Sequence, residues 1–195
     1  MLRSGTAFTP LPSTSLSQTK THPDPHRVIL PIISAQLPNI SYTVSDTALE
    51  SRGLILHRTP EGLNLNQLNS VFVAVGFPRR DPDKIQVALE HTDSLIWVES
   101  LKTKRPVAFA RATGDGVFNA IIWDVVVDPT FQGIGLGKAV MERLLEELLQ
   151  KGITNIALYS EPRVLGFYRP MGFVADPDGI RGMVYSRKQN KNKNK

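Results

Sequence analysis

From Gly135 to Gln150 the apolar residues fall at helical intervals. Leu136, Val140, Leu144 and Leu148 make one stripe, and Ala139, Leu145 and Leu149 widen it. Lys138 and Glu142 stand four apart on this helix, and Gly152 ends it. Leu65, Leu68, Phe72 and Val75 repeat the helical spacing over Leu63–Val75, with Gly76 as its stop. Asp83–His91 predicts a shorter helix with Ile85, Ala88 and Leu89 on one face. Elsewhere the period falls to two. "SLIWVESL" (Ser94–Leu101) and "PVAFARAT" (Pro106–Thr113) read as a hairpin joined by "KTKR". "VFNAIIWDVVVD" (Val117–Asp128) lacks clean alternation, which predicts a strand buried on both faces.

"SYTVS" (Ser41–Ser45), "GLILHRT" (Gly53–Thr59) and "TNIALYS" (Thr154–Ser160) read as further strands. Pro162–Met171 reads as a last helix, after which "GMVYS" (Gly182–Ser186) closes the sheet. Hairpins come first and one strand–helix–strand unit comes late, so a right-handed parallel crossover joins an antiparallel sheet. The expected class is a mixed α/β (α+β) fold with a mostly antiparallel sheet and about four helices.

Composition changes the picture at the two ends. Residues 1–41 hold a single acidic residue, Asp24, among many Ser, Thr and Pro. This is the make-up of an organellar transit peptide. Pro10, Pro12, Pro23 and Pro25 break any Arg-rich amphipathic helix, which favours the plastid over the mitochondrion. Residues 187–195 form a basic tail. The net charge of +5 resides in these ends, since the stretch between them sums to −2. Such a distribution does not support a nucleic-acid partner. No apolar run reaches the length of a membrane span, and the four histidines show no metal-ligand spacing. Cysteine is absent, which excludes thiolate chemistry within this chain.

The candidate chemistry lies in "DPTFQGIGLGKAV" (Asp128–Val140). A nucleotide P-loop requires a hydroxyl after Gly-Lys, and Ala139 follows Gly137-Lys138. A dinucleotide fingerprint requires G-x-G-x-x-G, whereas Gly133, Gly135 and Gly137 are spaced G-x-G-x-G. What remains is a cradle of backbone N–H groups before a helix N-terminus, suited to pyrophosphate.

Gln132-Gly133-Ile134-Gly135-Leu136-Gly137 resembles the acetyl-coenzyme A loop of the GNAT acetyltransferases. "WDVVVDP" resembles that family's central strand, and "FYRPMGF" (Phe167–Phe173) resembles its late tyrosine-bearing helix. The resemblance spans residues 42–186 and is closest to the plastid-targeted, cyanobacterial-type branch. That branch includes protein lysine and N-terminal acetyltransferases and serotonin N-acetyltransferases. The resemblance implies a GNAT fold with a splayed central parallel pair and acetyl-CoA as co-substrate, with no metal. Val125, Val126 and Val127 would bind pantetheine through their backbone, although three valines also suit a core. Gln132, Gly133, Ile134, Gly135, Leu136, Gly137 and Lys138 would hold the pyrophosphate, with Lys138 equally able to face solvent.

The implied reaction is direct attack of an amine on the thioester. Its acceptors are protein or peptide amines, with small arylalkylamines as the alternative. A non-catalytic acetyl-CoA-sensing module is the reading from another class. Tyr168 matches the family's proton donor. For Asp124, a raised-pKa base, a cation-holding group and a structurally hydrogen-bonded residue all stay open. Glu161 is a second candidate base, while His57 and His91 have no motif support. Acceptor choice is expected in the loops Phe77–Asp83 and Val174–Ile180.

Overall fold

A computed structural model describes residues 42–183 and 185. The leader and tail expected at 1–41 and 187–195 lie outside the described residues, as do Ser41, Val184 and Ser186. Five strands form one sheet in chain order: β1 (Leu54–His57), β2 (Ser94–Ser100), β3 (Arg105–Gly114), β4 (Asn119–Val127) and β5 (Asn155–Leu158). The first four pair antiparallel, and β5 pairs parallel with β4. The helices are α1 (Asp46–Glu50), α2 (Leu65–Ala74), α3 (Pro82–Glu90), α4 (Leu136–Gln150) and α5 (Leu165–Tyr168). Among the described residues no helix is long and apolar enough to cross a membrane.

Local chemistry sets the helix starts. Asn64 caps α2 by accepting from the Gln67 N–H at 3.0 Å. Asp81 caps α3 by accepting from the Asp83 N–H at 3.0 Å, with Pro82 at the tolerant first position. The predicted stripe of α4 is at most 1 % exposed at Leu136, Val140, Leu144 and Leu148. It packs on β2, β3 and β4.

The sheet is buried on both faces. Ile96 and Val98 of β2 join the core beneath α4, while Leu95 and Trp97 join a second core beneath α2 and α3. In β4 this alternation changes phase. Ala120 and Ile122 face the α4 core, but Val126 belongs to the α2–α3 core, and Val125 and Val127 pack toward α4. The cause is a β-bulge. Asp124 and Val125 together oppose the single residue Ala110 of β3, and Asp124 has φ +55°. The absence of clean alternation in the sequence therefore has two causes, burial of both faces and this one-residue insertion.

Three expectations need correction. Tyr42–Ser45 is a strap rather than a strand. Its polar groups bind α4: the Thr43 N–H and Oγ1 donate to Glu142, and the Tyr42 hydroxyl donates to Glu146. Glu142 thus bonds the strap and not Lys138. The expected helix at Pro162–Met171 is α-helical only over α5, with 3₁₀ turns at Pro162–Val164 and Arg169–Met171. Pro170 lacks the N–H that a continuing helix would need. Finally, Gly182, Met183 and Tyr185 lie outside any strand. The parallel pair is consequently last in the order of the described strands, with nothing described beyond β5.

Candidate functional site

The bulge opens the sheet. β5 pairs only with Asn119–Ile122, so from Trp123 to Val127 no described strand covers the β5 side of β4. Backbone polar groups on such a side are free to meet an extended ligand. The Gln132 side-chain amide occupies one of them, donating to the Val127 carbonyl at 3.1 Å.

The glycine loop adjoins this opening. Gly133 and Gly135 take φ +80° and +93°, a left-handed backbone that favours glycine. Gly135 is the N-cap of α4, and no side chain caps the helix there. The first N–H groups of a fifteen-residue helix therefore lack a side-chain partner. A Cβ at Gly137 would lie 3.1 Å from the Phe167 ring and 3.6 Å from Val127. The loop, the bulged strand and the last helix thus meet at Gly137. Lys138 is half-buried on the first turn of α4. These are the features a pyrophosphate cradle and a pantetheine-binding edge require, so the residues present fit the implied co-substrate.

Tyr168 stands beside this meeting point. Its ring is edge-on to Phe167 at 4.9 Å and to Phe173 at 5.9 Å. Burial pushes its phenol above the usual tyrosine range. Tyr168 lines a cavity of about 290 Å³ at the opening, together with Asp124, Val125, Trp123 and Tyr159. The Trp123 and Tyr159 rings lie 5.7 Å apart.

Asp124 is engaged on both oxygens. Arg80 Nη2 donates to Oδ1 at 2.7 Å and Arg111 Nε donates to Oδ2 at 2.7 Å. Burial pushes this carboxyl up, but hydrogen bonds and charge from the two guanidiniums outweigh it and hold the carboxyl below the usual range. This direction is opposite to that of a raised-pKa base, and both oxygens of Asp124 are hydrogen-bonded and charge-paired. Glu161 is exposed, pairs with Arg163 at 2.5 Å and does not line the cavity. His57 stacks on Trp97 at 4.0 Å, and His91 caps the end of α3.

The low carboxyl pKa has a consequence for acid stability. A depressed folded-state pKa stabilises above the unfolded value of about 3.9 and is lost as pH falls through the folded value. Asp124→Asn is expected to lower stability at neutral pH by about 3 kcal/mol, because two cations lose their shared partner. Its stability should also fall less steeply than that of the parent below about pH 4. Urea titrations at several pH values would show both effects.

Arg80 and Arg111 were not among the residues singled out in the sequence. Arg80 lies in the Phe77–Asp83 loop and is held from several sides. Fully buried Asn69 donates to its carbonyl at 2.6 Å and accepts from its N–H at 3.0 Å. Its guanidinium lies over the Phe72 ring at 4.7 Å. Arg111 also donates to Thr92 Oγ1 at 3.3 Å. The one legible signal was an arginine within the otherwise apolar "VAFARA".

On the other side of the Arg80–Asp124 pair lies a second cavity of about 340 Å³ beneath α2 and α3. Phe72, Ile85, Leu89 and Phe109 give it an apolar floor.

Comparison with known proteins agrees with this geometry. The sequence profile described as "Acetyltransferase (GNAT) family" matches residues 64–173. A chloroplastic GCN5-related N-acetyltransferase 1 of Arabidopsis thaliana is 77 % identical over 153 residues, 78 % of each chain. A chloroplastic serotonin N-acetyltransferase 2 of Oryza sativa is 57 % identical over 145 residues, 73 % of this chain and 72 % of that protein. The crystal structure of a probable acetyltransferase from Staphylococcus aureus shares the fold, with TM-score 0.60 and 15 % identity over 68 % of this chain and 98 % of that one. The chloroplast location expected from the leader's composition is thus carried in the names of two relatives.

Proposed function

The chain belongs to the GNAT acetyltransferase family, and from this premise we propose that it transfers acetyl from acetyl-CoA to amines of peptides and proteins, lysine side chains or N-termini. The observation that carries the proposal is that the glycine loop at the head of α4, the uncovered edge of β4 and the last helix meet at Gly137, while Val125 and Tyr168 line one cavity. Acetyl-CoA, when bound, supplies an activated acyl group on a thiol leaving group. Val125, Val126 and Val127 bind the pantetheine arm through backbone groups. Gln132, Gly133, Ile134, Gly135, Leu136, Gly137 and Lys138 receive the pyrophosphate. Tyr168, protonated at neutral pH and pushed further up by burial, would donate to the departing sulfur. With Asp124 committed to Arg80 and Arg111, the acceptor's proton leaves through solvent at the cavity mouth.

A second reading is a small arylalkylamine acceptor. The aromatic walls Trp123, Tyr159 and Phe77 support it, as does the relative named a serotonin N-acetyltransferase. The decisive experiment incubates the purified protein with acetyl-CoA and a library of peptides and small amines, read by mass spectrometry. Acetylated peptides are expected, with serotonin competing weakly. Coenzyme A binding without transfer to any amine would instead identify a sensing module and overturn the enzyme reading.

A further inference from the structure

The second cavity has more cationic than anionic walls. Arg79, Arg80, Lys84 and Arg111 line it, against Asp81 and Asp124. Neither carboxylate is uncommitted. Asp81 caps α3, and Asp124 is shared between two guanidiniums. Among the described residues Arg79 and Lys84 form no ion pair, and both are exposed at the rim. The chain between leader and tail is slightly acidic in sum, yet this recess carries an excess of two positive charges over its apolar floor. Arg80 and Asp124 line both this recess and the Tyr168 cavity, so the two spaces share a wall.

We propose that the second cavity is an acceptor subsite for an anionic group, and that the preferred acceptors are peptides with an aspartate or glutamate within a few residues of the reactive amine. The inference rests on the acetyltransferase reading and names the substrate class of the same site. Charge complementarity is the argument. A carboxylate entering the recess meets Arg79 and Lys84, whereas a lysine-rich segment meets like charge.

The test uses three peptides with free N-termini, identical except for Asp, Ala or Lys at the second and third positions. The kcat/KM for the Asp peptide is expected to exceed that for the Lys peptide by about fivefold or more, the effect of one charge contact across solvent. The preference should shrink toward unity in about 1 M salt, where the screening length is about 3 Å. Arg79→Glu combined with Lys84→Glu should abolish or invert the order while leaving the KM for acetyl-CoA unchanged. Both side chains are exposed, so the variant retains its core. Equal rates on the three peptides, a preference for Lys, or an order unaffected by the double variant would overturn the inference and leave the acetyltransferase reading standing. So would transfer to small amines with none to any peptide. Transfer to no amine of any kind would overturn both.

Discussion

Tyr168→Phe is expected to lower kcat by about 100-fold or more while acetyl-CoA affinity stays within about twofold. The substitution removes one oxygen and keeps the ring. The edge-on contacts with Phe167 and Phe173 persist, so the walls of the cavity and the seat of Gly137 are preserved. What is lost is the proposed proton donor to the leaving thiolate. The sign of the pKa shift adds a second expectation. Burial raises the phenol's pKa, so the donor form persists throughout the neutral range and is lost only above the ordinary tyrosine value of about 10. The parent's rate should therefore show no decline attributable to Tyr168 between neutral and mildly alkaline pH. Calorimetric titration with coenzyme A, alongside steady-state rates, separates binding from turnover. A variant with unchanged kcat removes Tyr168 from the proposed mechanism.

Arg143→Met is expected to lower stability as much as Asp124→Asn does. Arg143 is fully buried in α4 and binds the strap that precedes α1. Its Nη2 donates to the Val44 carbonyl at 2.8 Å, its Nε donates to Asp46 at 2.8 Å, and its Nη1 donates to the Ala139 carbonyl at 3.1 Å. The guanidinium also lies 4.1 Å from the centre of the Tyr42 ring. Methionine fills the stem's space but leaves the Asp46 carboxylate and the Val44 carbonyl without their donor, while the Ala139 carbonyl keeps the helix's own N–H. Losing about 3 kcal/mol follows from leaving such groups unpaired. The partial exposure of Asp46 keeps the loss from being larger. For a domain of this size the Tm should fall by about 10 °C. A change below about 1 kcal/mol would show that the strap contributes little.

The same strap reaches the glycine loop. A Cβ at Gly135 would meet Val44 of the strap at 2.9 Å. Loosening the strap in Arg143→Met should therefore also raise the KM for acetyl-CoA, a second readout from the same protein.

The elements with strong internal periodicity were legible in the chain. The α4 stripe, the β2–β3 hairpin and the α2 and α3 helices follow from intervals of 3.6 and 2 and from nearby Asn, Asp, Pro and Gly residues. The glycine loop was legible for a similar reason. Its φ values and its place before a helix are local properties of a few consecutive residues. "SYTVS" misled because β-branched residues suit a strand, whereas its polar groups are bound by Glu142 and Glu146 about a hundred positions away. The last helix was overestimated because aromatic spacing outweighed Pro170.

By itself, then, the sequence determined the strongly periodic helices and strands and where a glycine loop precedes a helix, because those choices depend on neighbours within a turn or two. Tertiary structure alone decided the state of Asp124. Its ionisation depends on Arg80, forty-four positions away, and on Arg111, thirteen away across a strand pair. Neither distance has a period. A bulge of one residue sets the backbone of Asp124 at φ +55°, and a carboxylate that composition leaves open as a base becomes the shared partner of two cations. The charge of a site is the sum over side chains that the fold gathers, so a chain whose middle is slightly acidic can still hold a cationic recess.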